Sequence, residues 1–162
     1  MDRFADGMTA RGPTLGPDRE TWTGSVHIVD LPSAAAAREF VEREPYNRAG
    51  LFEQHIVRRF GNLLGQTMWE FGGGSDDPRF MVIAHCSPAA GGLLPDFAAL
   101  PREDVIVHGE LRTLDDAAPA GMVVALQAPT RAAVEAALGG GEVRLDQLST
   151  VEILEWEFGG RR

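Results

Sequence analysis

Trp69-Glu70-Phe71-Gly72-Gly73 recurs 87 residues later as Trp156-Glu157-Phe158-Gly159-Gly160. Five identical residues that include a tryptophan are an improbable coincidence in a chain of 162, so internal duplication is the first hypothesis for the architecture. Upstream, an offset of 97 aligns Gly12 with Gly109, Asp18 with Asp115, Gly24 with Gly121, Val26 with Val123, Ser33 with Thr130 and Ala36 with Ala133. The change of offset implies that the second copy lacks about ten residues, corresponding to the stretch from Glu44 to Gln54.

The second copy is the easier one to read. Arg79 to Cys86 is a short apolar strand, Gly91 to Leu100 a weak helix interrupted by Pro95, and Val105 to Leu111 a second strand. Gly121 to Gln127 follows as a third strand. Pro129-Thr130 then opens an alanine-rich helix to Leu138, closed by Gly139-Gly140-Gly141, and Thr150 to Phe158 supplies the last strand. The order β-α-β-β-α-β is the split arrangement of ferredoxin-like folds, an α+β class with two helices on one face of an antiparallel sheet. In the first copy Arg3 to Arg11 reads as a helix, Trp22 to Leu31 as a strand, Ser33 to Arg43 as a helix with Ser33 at its N-cap, and Phe52 to Phe60 as the last strand. This copy lacks its opening strand, and Gln66 to Phe71 is a candidate strand swapped between the copies. The expected division is a first repeat over 1–71, a linker over 72–78 rich in Gly, Ser, Asp and Pro, and a second repeat over 79–162.

Composition narrows the partners. A formal net charge of -9 repels nucleic acid and anionic membranes, and the basic clusters Arg58-Arg59 and Arg161-Arg162 are too small to reverse that. Every basic residue is arginine, which removes lysine Schiff-base chemistry and the phosphate-loop lysine. The single Cys86 excludes an internal disulfide and a cysteine-rich zinc site, and fits a reducing cytoplasm. Met1 is not followed by a signal segment, and no run has the length of a membrane span. The glycine runs lack the context of a nucleotide-binding loop, so no nicotinamide, flavin or ATP cofactor is expected.

Several motifs of the first copy resemble the YCII-related family of the dimeric α/β-barrel group. They are Gly12-Pro13 with Asp18 six residues after the glycine, Gly24-Ser25 opening a strand, Ala37 to Phe40, Glu44-Pro45-Tyr46 where the family usually has Asp-Pro-Tyr, and Ala49-Gly50-Leu51-Phe52. They cover roughly residues 3 to 60, and the second copy looks like a divergent member. The resemblance implies two ferredoxin-like repeats whose sheets meet face to face around a small-molecule cavity, within the chain or in a homodimer. It also implies a His-Asp pair, with Asp18 at the acidic position and Asp115 as its counterpart. The matching histidine of the first copy would fall at or before Met1.

His85, near where the family places its histidine, is the leading acid/base candidate, with Asp115 fixing the tautomer of its ring. His27 is the second. Alternation puts Val26 and Ile28 on one face of their strand and His27 on the other, so His27 faces the cavity if the apolar face meets the helices. The four histidines are not at a diagnostic metal spacing, and no metal is expected. Trp22, Trp69, Trp156, Phe71 and Phe158 read either as a pocket lining or as core, and repetition favours core. Cys86 points away from His85 on its strand and reads as a buried, inert thiol. Two functions compete: a cofactor-independent lyase, isomerase or dehalogenase-type enzyme using His85 or His27 with Asp115 and Asp18, and a non-catalytic ligand-binding or accessory protein.

Overall fold

The computed structural model describes residues 7–73, 75–86, 100–139 and 148–160. Seven strands form one antiparallel sheet: β1 (Met8–Leu15), β2 (Trp22–Val29), β3 (Arg59–Asn62), β4 (Arg79–Cys86), β5 (Val105–Arg112), β6 (Pro119–Gln127) and β7 (Leu148–Trp156), in the order β2-β1-β7-β4-β6-β5-β3. Among the described residues the α-helices are α1 (Ala34–Arg43), α2 (Pro45–Arg48) and α3 (Arg131–Gly139). The sequence reading placed β4, β5, β6, α1 and α3 within two residues of where they lie. The expected helix Gly91 to Leu100 falls, but for its last residue, outside the described residues.

Three expectations are corrected. Where Arg3 to Arg11 read as a helix, Met8–Leu15 is a strand. Met8, Ala10, Gly12 and Thr14 are buried in alternation, a period-2 pattern, and Gly12-Pro13 disfavours a helix across them. Of the expected strand Phe52 to Phe60 only the end is one. Residues 59–62 pair with β5, as in Phe60 opposite Leu111, whereas 52–58 have no partner strand. Gln66 to Phe71 is not a swapped strand but a 3-10 turn over Met68–Glu70. There the Glu70 carboxylate accepts from Thr67 N at 2.8 Å and Thr67 Oγ1 at 2.9 Å. The two copies of the tryptophan pentapeptide therefore differ in backbone, one in a turn and one leaving β7.

The offset of 97 is geometric as well as sequential. It carries the bounds of β1 onto β5 (105 to 112), the start of β2 onto that of β6 and the start of α1 onto that of α3. The hairpin registers coincide too, with Gly12 opposite Val26 and Gly109 opposite Val123. Strand β7 joins β1 through Thr14 opposite Trp156, and β3 joins β5 through Phe60 opposite Leu111, so the last strand of each half pairs with the other half. Close approaches repeat as well. A Cβ on Gly12 would lie 1.8 Å from the Glu157 carbonyl oxygen, and one on Gly109 would lie 2.4 Å from that of Gly61. By pairing, then, Phe60 rather than Trp69 is the counterpart of Trp156.

The curled sheet buries two clusters. Against α3, Phe80, Val82, Ala84, Met122, Val124 and Leu126 pack with Val134 and Leu138. On the opposite face Met68, Met81, Ile106, Val123, Ala125 and Trp156 form a second core, joined by Val26, Ile28, Phe60, Trp69, Phe71 and Phe158. No helix among the described residues is long and apolar enough to cross a membrane.

Candidate functional site

Alternation along β4 sends Met81 and Ile83 into the second core, and His85, two residues further on, continues that row to the strand end. Strand β7 lies alongside, with Ile83 opposite Glu152 and His85 opposite Thr150. Glu152 belongs to the row of Leu154 and Trp156 and reaches diagonally to the imidazole, Nε2 to Oε1 at 2.8 Å. The His85 side chain is 16% exposed and that of Glu152 46%, so the pair sits at the rim of the core with the carboxylate on the solvent side. On the other flank His85 faces Gly121, where a Cβ would collide with the Ala84 carbonyl oxygen at 1.9 Å. The backbone of β6 therefore approaches the histidine closely and without a side chain between.

Asp18 and Asp115 occupy the turns of the two hairpins. The Asp18 carboxylate accepts from Thr21 N at 2.9 Å, Glu20 N at 3.1 Å and Thr21 Oγ1, and these bonds hold its carboxyl below the usual range. Asp115 accepts from Thr113 Oγ1 at 2.6 Å and Ala117 N at 3.2 Å, and is lowered for the same reason. Both are exposed and bonded within their own turns, so the carboxylate that meets His85 is Glu152.

His27 lies on the helix side of β2. Its ring packs edge-on against Phe40 of α1, centroids 5.5 Å apart, while Val26 and Ile28 enter the second core. The sidedness is thus the reverse of the one that would face His27 toward a cavity. Desolvation lowers its pKa, with Arg11 acting in the same sense and Glu44 opposing. Glu44 is buried at 6% exposure and caps α2, accepting from Asn47 N at 2.7 Å.

The aromatic residues divide. Trp69, Trp156, Phe71 and Phe158 belong to the second core, with Arg79 stacked 4.3 Å over the Phe158 ring, whereas Trp22 is 63% exposed and meets Tyr46 edge-on. Burial raises the Cys86 thiol, which keeps it protonated near neutrality. No group of three or more His, Cys, Asp or Glu side chains among the described residues is placed to hold a metal. An open cleft of about 500 Å³ runs between Gln66, Glu70, Phe71, Arg102 and Gln127. Its two amides are engaged elsewhere, Gln66 on the Val105 and Ile106 carbonyls and Gln127 on those of Ser75 and Asp77.

Sequence reasoning missed Glu152, although a signal was present: Glu152, Leu154 and Trp156 alternate on one face, with the carboxylate the odd member of an apolar row.

Fold and site together define an α+β protein with a curled antiparallel sheet, in which a histidine near the end of β4 meets a carboxylate from the middle of β7. The family model of the YCII-related domain matches residues 3–61, the segment bearing β1, β2, α1, α2 and most of β3, so this segment is similar to that family. No curated protein and no solved structure matches the chain. His85 and Glu152 lie outside the matched segment.

Proposed function

We propose that the chain consists of two YCII-like repeats, 1–71 and 79–162 joined by 72–78, and binds a small molecule beside His85, where the imidazole moves a proton without a cofactor. The observation that carries this reading is the 2.8 Å contact from His85 Nε2 to Glu152 Oε1 at the rim of an apolar core. A carboxylate on Nε2 fixes the tautomer and orientation of the ring, which is how general acid/base catalysis prepares an imidazole for proton transfer. The chemistry this suits is proton transfer at carbon in a small substrate, as in an isomerisation or an elimination, with the base and its conjugate acid on one imidazole. Glu152 takes the positioning role that the sequence had suggested for Asp115.

The test is deuterium exchange into small carbon acids, followed by NMR with the chain in D2O. Active turnover should fall about 10²–10⁴-fold in His85→Gln, and less in Glu152→Gln. Exchange that is catalysed but unchanged in His85→Gln would sink the proposal. A second reading, a non-catalytic binding or accessory protein, is favoured by one observation: Met68, Met81, Ile106 and Trp156 fill the face opposite α3 with apolar side chains. Its signature is a ligand that raises Tm, loses affinity in His85→Gln and undergoes no exchange.

A further inference from the structure

In the second half β4 lies between β6 and β7, and the first half contains the equivalents of both neighbours with nothing between them among the described residues. The counterpart of β6 is β2, which among the described strands pairs with β1 alone. The counterpart of β7 is the segment that ends in β3. In β7, residues 148–155 pair with β4, whereas the corresponding residues 52–58 form no strand. Both flanks therefore lack the same neighbour.

The glycines record the same vacancy. Gly121 is needed because the β4 backbone passes so close that a Cβ would meet the Ala84 oxygen at 1.9 Å. Gly24, its counterpart at offset 97, would meet only the Thr14 hydroxyl, at 2.9 Å. The edge itself is unguarded. Strand β2 runs eight residues, Trp22–Val29, without a charged residue or proline, and burial keeps His27 neutral. The other edge, β3, is four residues long and begins at Arg59 beside Arg58. Exposed Trp22, Tyr46, Leu51 and Ile56 all belong to the stretches that flank the gap.

We propose that this gap is a strand-acceptor site for another polypeptide. The occupant is an extended segment of about eight residues, apolar in both alternating rows, that bonds antiparallel to β2 on one side and orders 52–58 as a strand on the other. The β4 register defines what it must supply: residues like Phe80, Val82 and Ala84 toward the helices, and like Met81 and Ile83 toward the second core. A separate partner segment fits better than a second copy of the chain. Every described strand of a copy already has its place, β4 at the centre of the sheet with Met81 and Val82 fully buried. A second copy could offer only its own β2 edge, which would leave 52–58 unpaired. The inference does not depend on the chemistry assigned to His85.

The test uses the full chain and, as probe, a peptide with the sequence of residues 79–86, read by backbone amide hydrogen exchange. The expected result is at least about tenfold slower exchange over residues 24–30 and 52–58, with β6 unchanged. Ser25→Pro, which removes one backbone donor from β2, should weaken the protection, with Tm of the free variant measured alongside to separate lost binding from lost stability. Because so apolar a peptide can self-associate, the same strand is also supplied in cis, with residues 79–104 repeated ahead of Met8; this should raise Tm and protect the same amides. The proposal is overturned if neither form protects the amides of 24–30 that do not bond β1, or if those outward amides are already protected in the monomeric free chain. A dimer whose dissociation on dilution unprotects β2 would make a second copy the occupant and equally overturn it.

Discussion

Strands β2 and β6 hold equivalent places in the two halves, begin 97 residues apart and pair in the same register with β1 and β5, yet differ in almost every environment. From Gly121 to Gln127 every residue of β6 is buried, whereas Trp22, Thr23 and Ser25 of β2 are exposed and the rest only half-buried. The difference is one neighbour. With β4 alongside, β6 is an interior strand covered by α3 on one face and by the second core on the other. Without such a neighbour β2 stays an edge, and the chemistry of its residues follows: Val124 of β6 corresponds to His27 of β2, and Leu126 to Val29. A strand is therefore central or peripheral through what lies beside it rather than through its own composition.

That contrast can be broken by matched substitutions. Leu126→Ala, at 3% exposure against α3, should cost about 3 kcal/mol in chemical denaturation, and Val29→Ala about 1 kcal/mol; equal costs would mean that β2 is as enclosed as β6. Gly121→Ala should cost about 2–3 kcal/mol, since its methyl group collides with backbone and Gly121 has φ of +147°. Gly24→Ala should cost less, about 1 kcal/mol, since its methyl group meets one hydroxyl, Thr14 Oγ1, rather than backbone.

A pH series sharpens the same comparison at lower amplitude. Because burial lowers the His27 pKa in the folded chain, the unfolded chain binds the proton first as pH falls. Its contribution to stability is intact above the ordinary value near 6.5 and declines as pH drops below it toward the lowered folded value. His27→Val, which installs the residue found at the matching position of β6, should flatten Tm between pH 7 and 5 relative to the parent. The smallest effects belong to Asp18→Asn and Asp115→Asn. Each removes a carboxylate whose pKa is lowered by its own turn, so the parent should lose slightly more stability than either variant as pH falls through the carboxylate range.

The sequence was most readable where local pattern and tertiary environment agree. The apolar run Arg79–Cys86 is the central strand, and Ser33 caps α1 by accepting from Ala36 N at 3.1 Å. Reading failed where pairing decides. Met8–Leu15 shows its alternation only once β2 and β7 fix which residues are inside, and 52–58 carry strand-like residues without a strand to bond. The identity of the two tryptophan pentapeptides misled in the same way, since Phe60 rather than Trp69 takes the place of Trp156 in the pairing. At the candidate site the position of His85 on β4 follows from the apolar run, whereas its contact with Glu152 rather than Asp115 depends on sheet order. The condition that would face His27 toward a cavity, the more apolar face of β2 against α1, is not met, since Val26 and Ile28 enter the second core.

The pairing of Thr14 with Trp156 has a consequence for biosynthesis. The β7 partner of β1 is made 142 residues after Thr14 (156 less 14), so the β1-β2 hairpin emerges from the ribosome before β7 can cover it. At ordinary translation speeds of about 5–20 residues per second, the wait for the matching segment is roughly 7–28 s. Through that interval the two strands of the nascent hairpin carry a single charged side chain, Arg11, and have unpaired backbone along both of their outer edges.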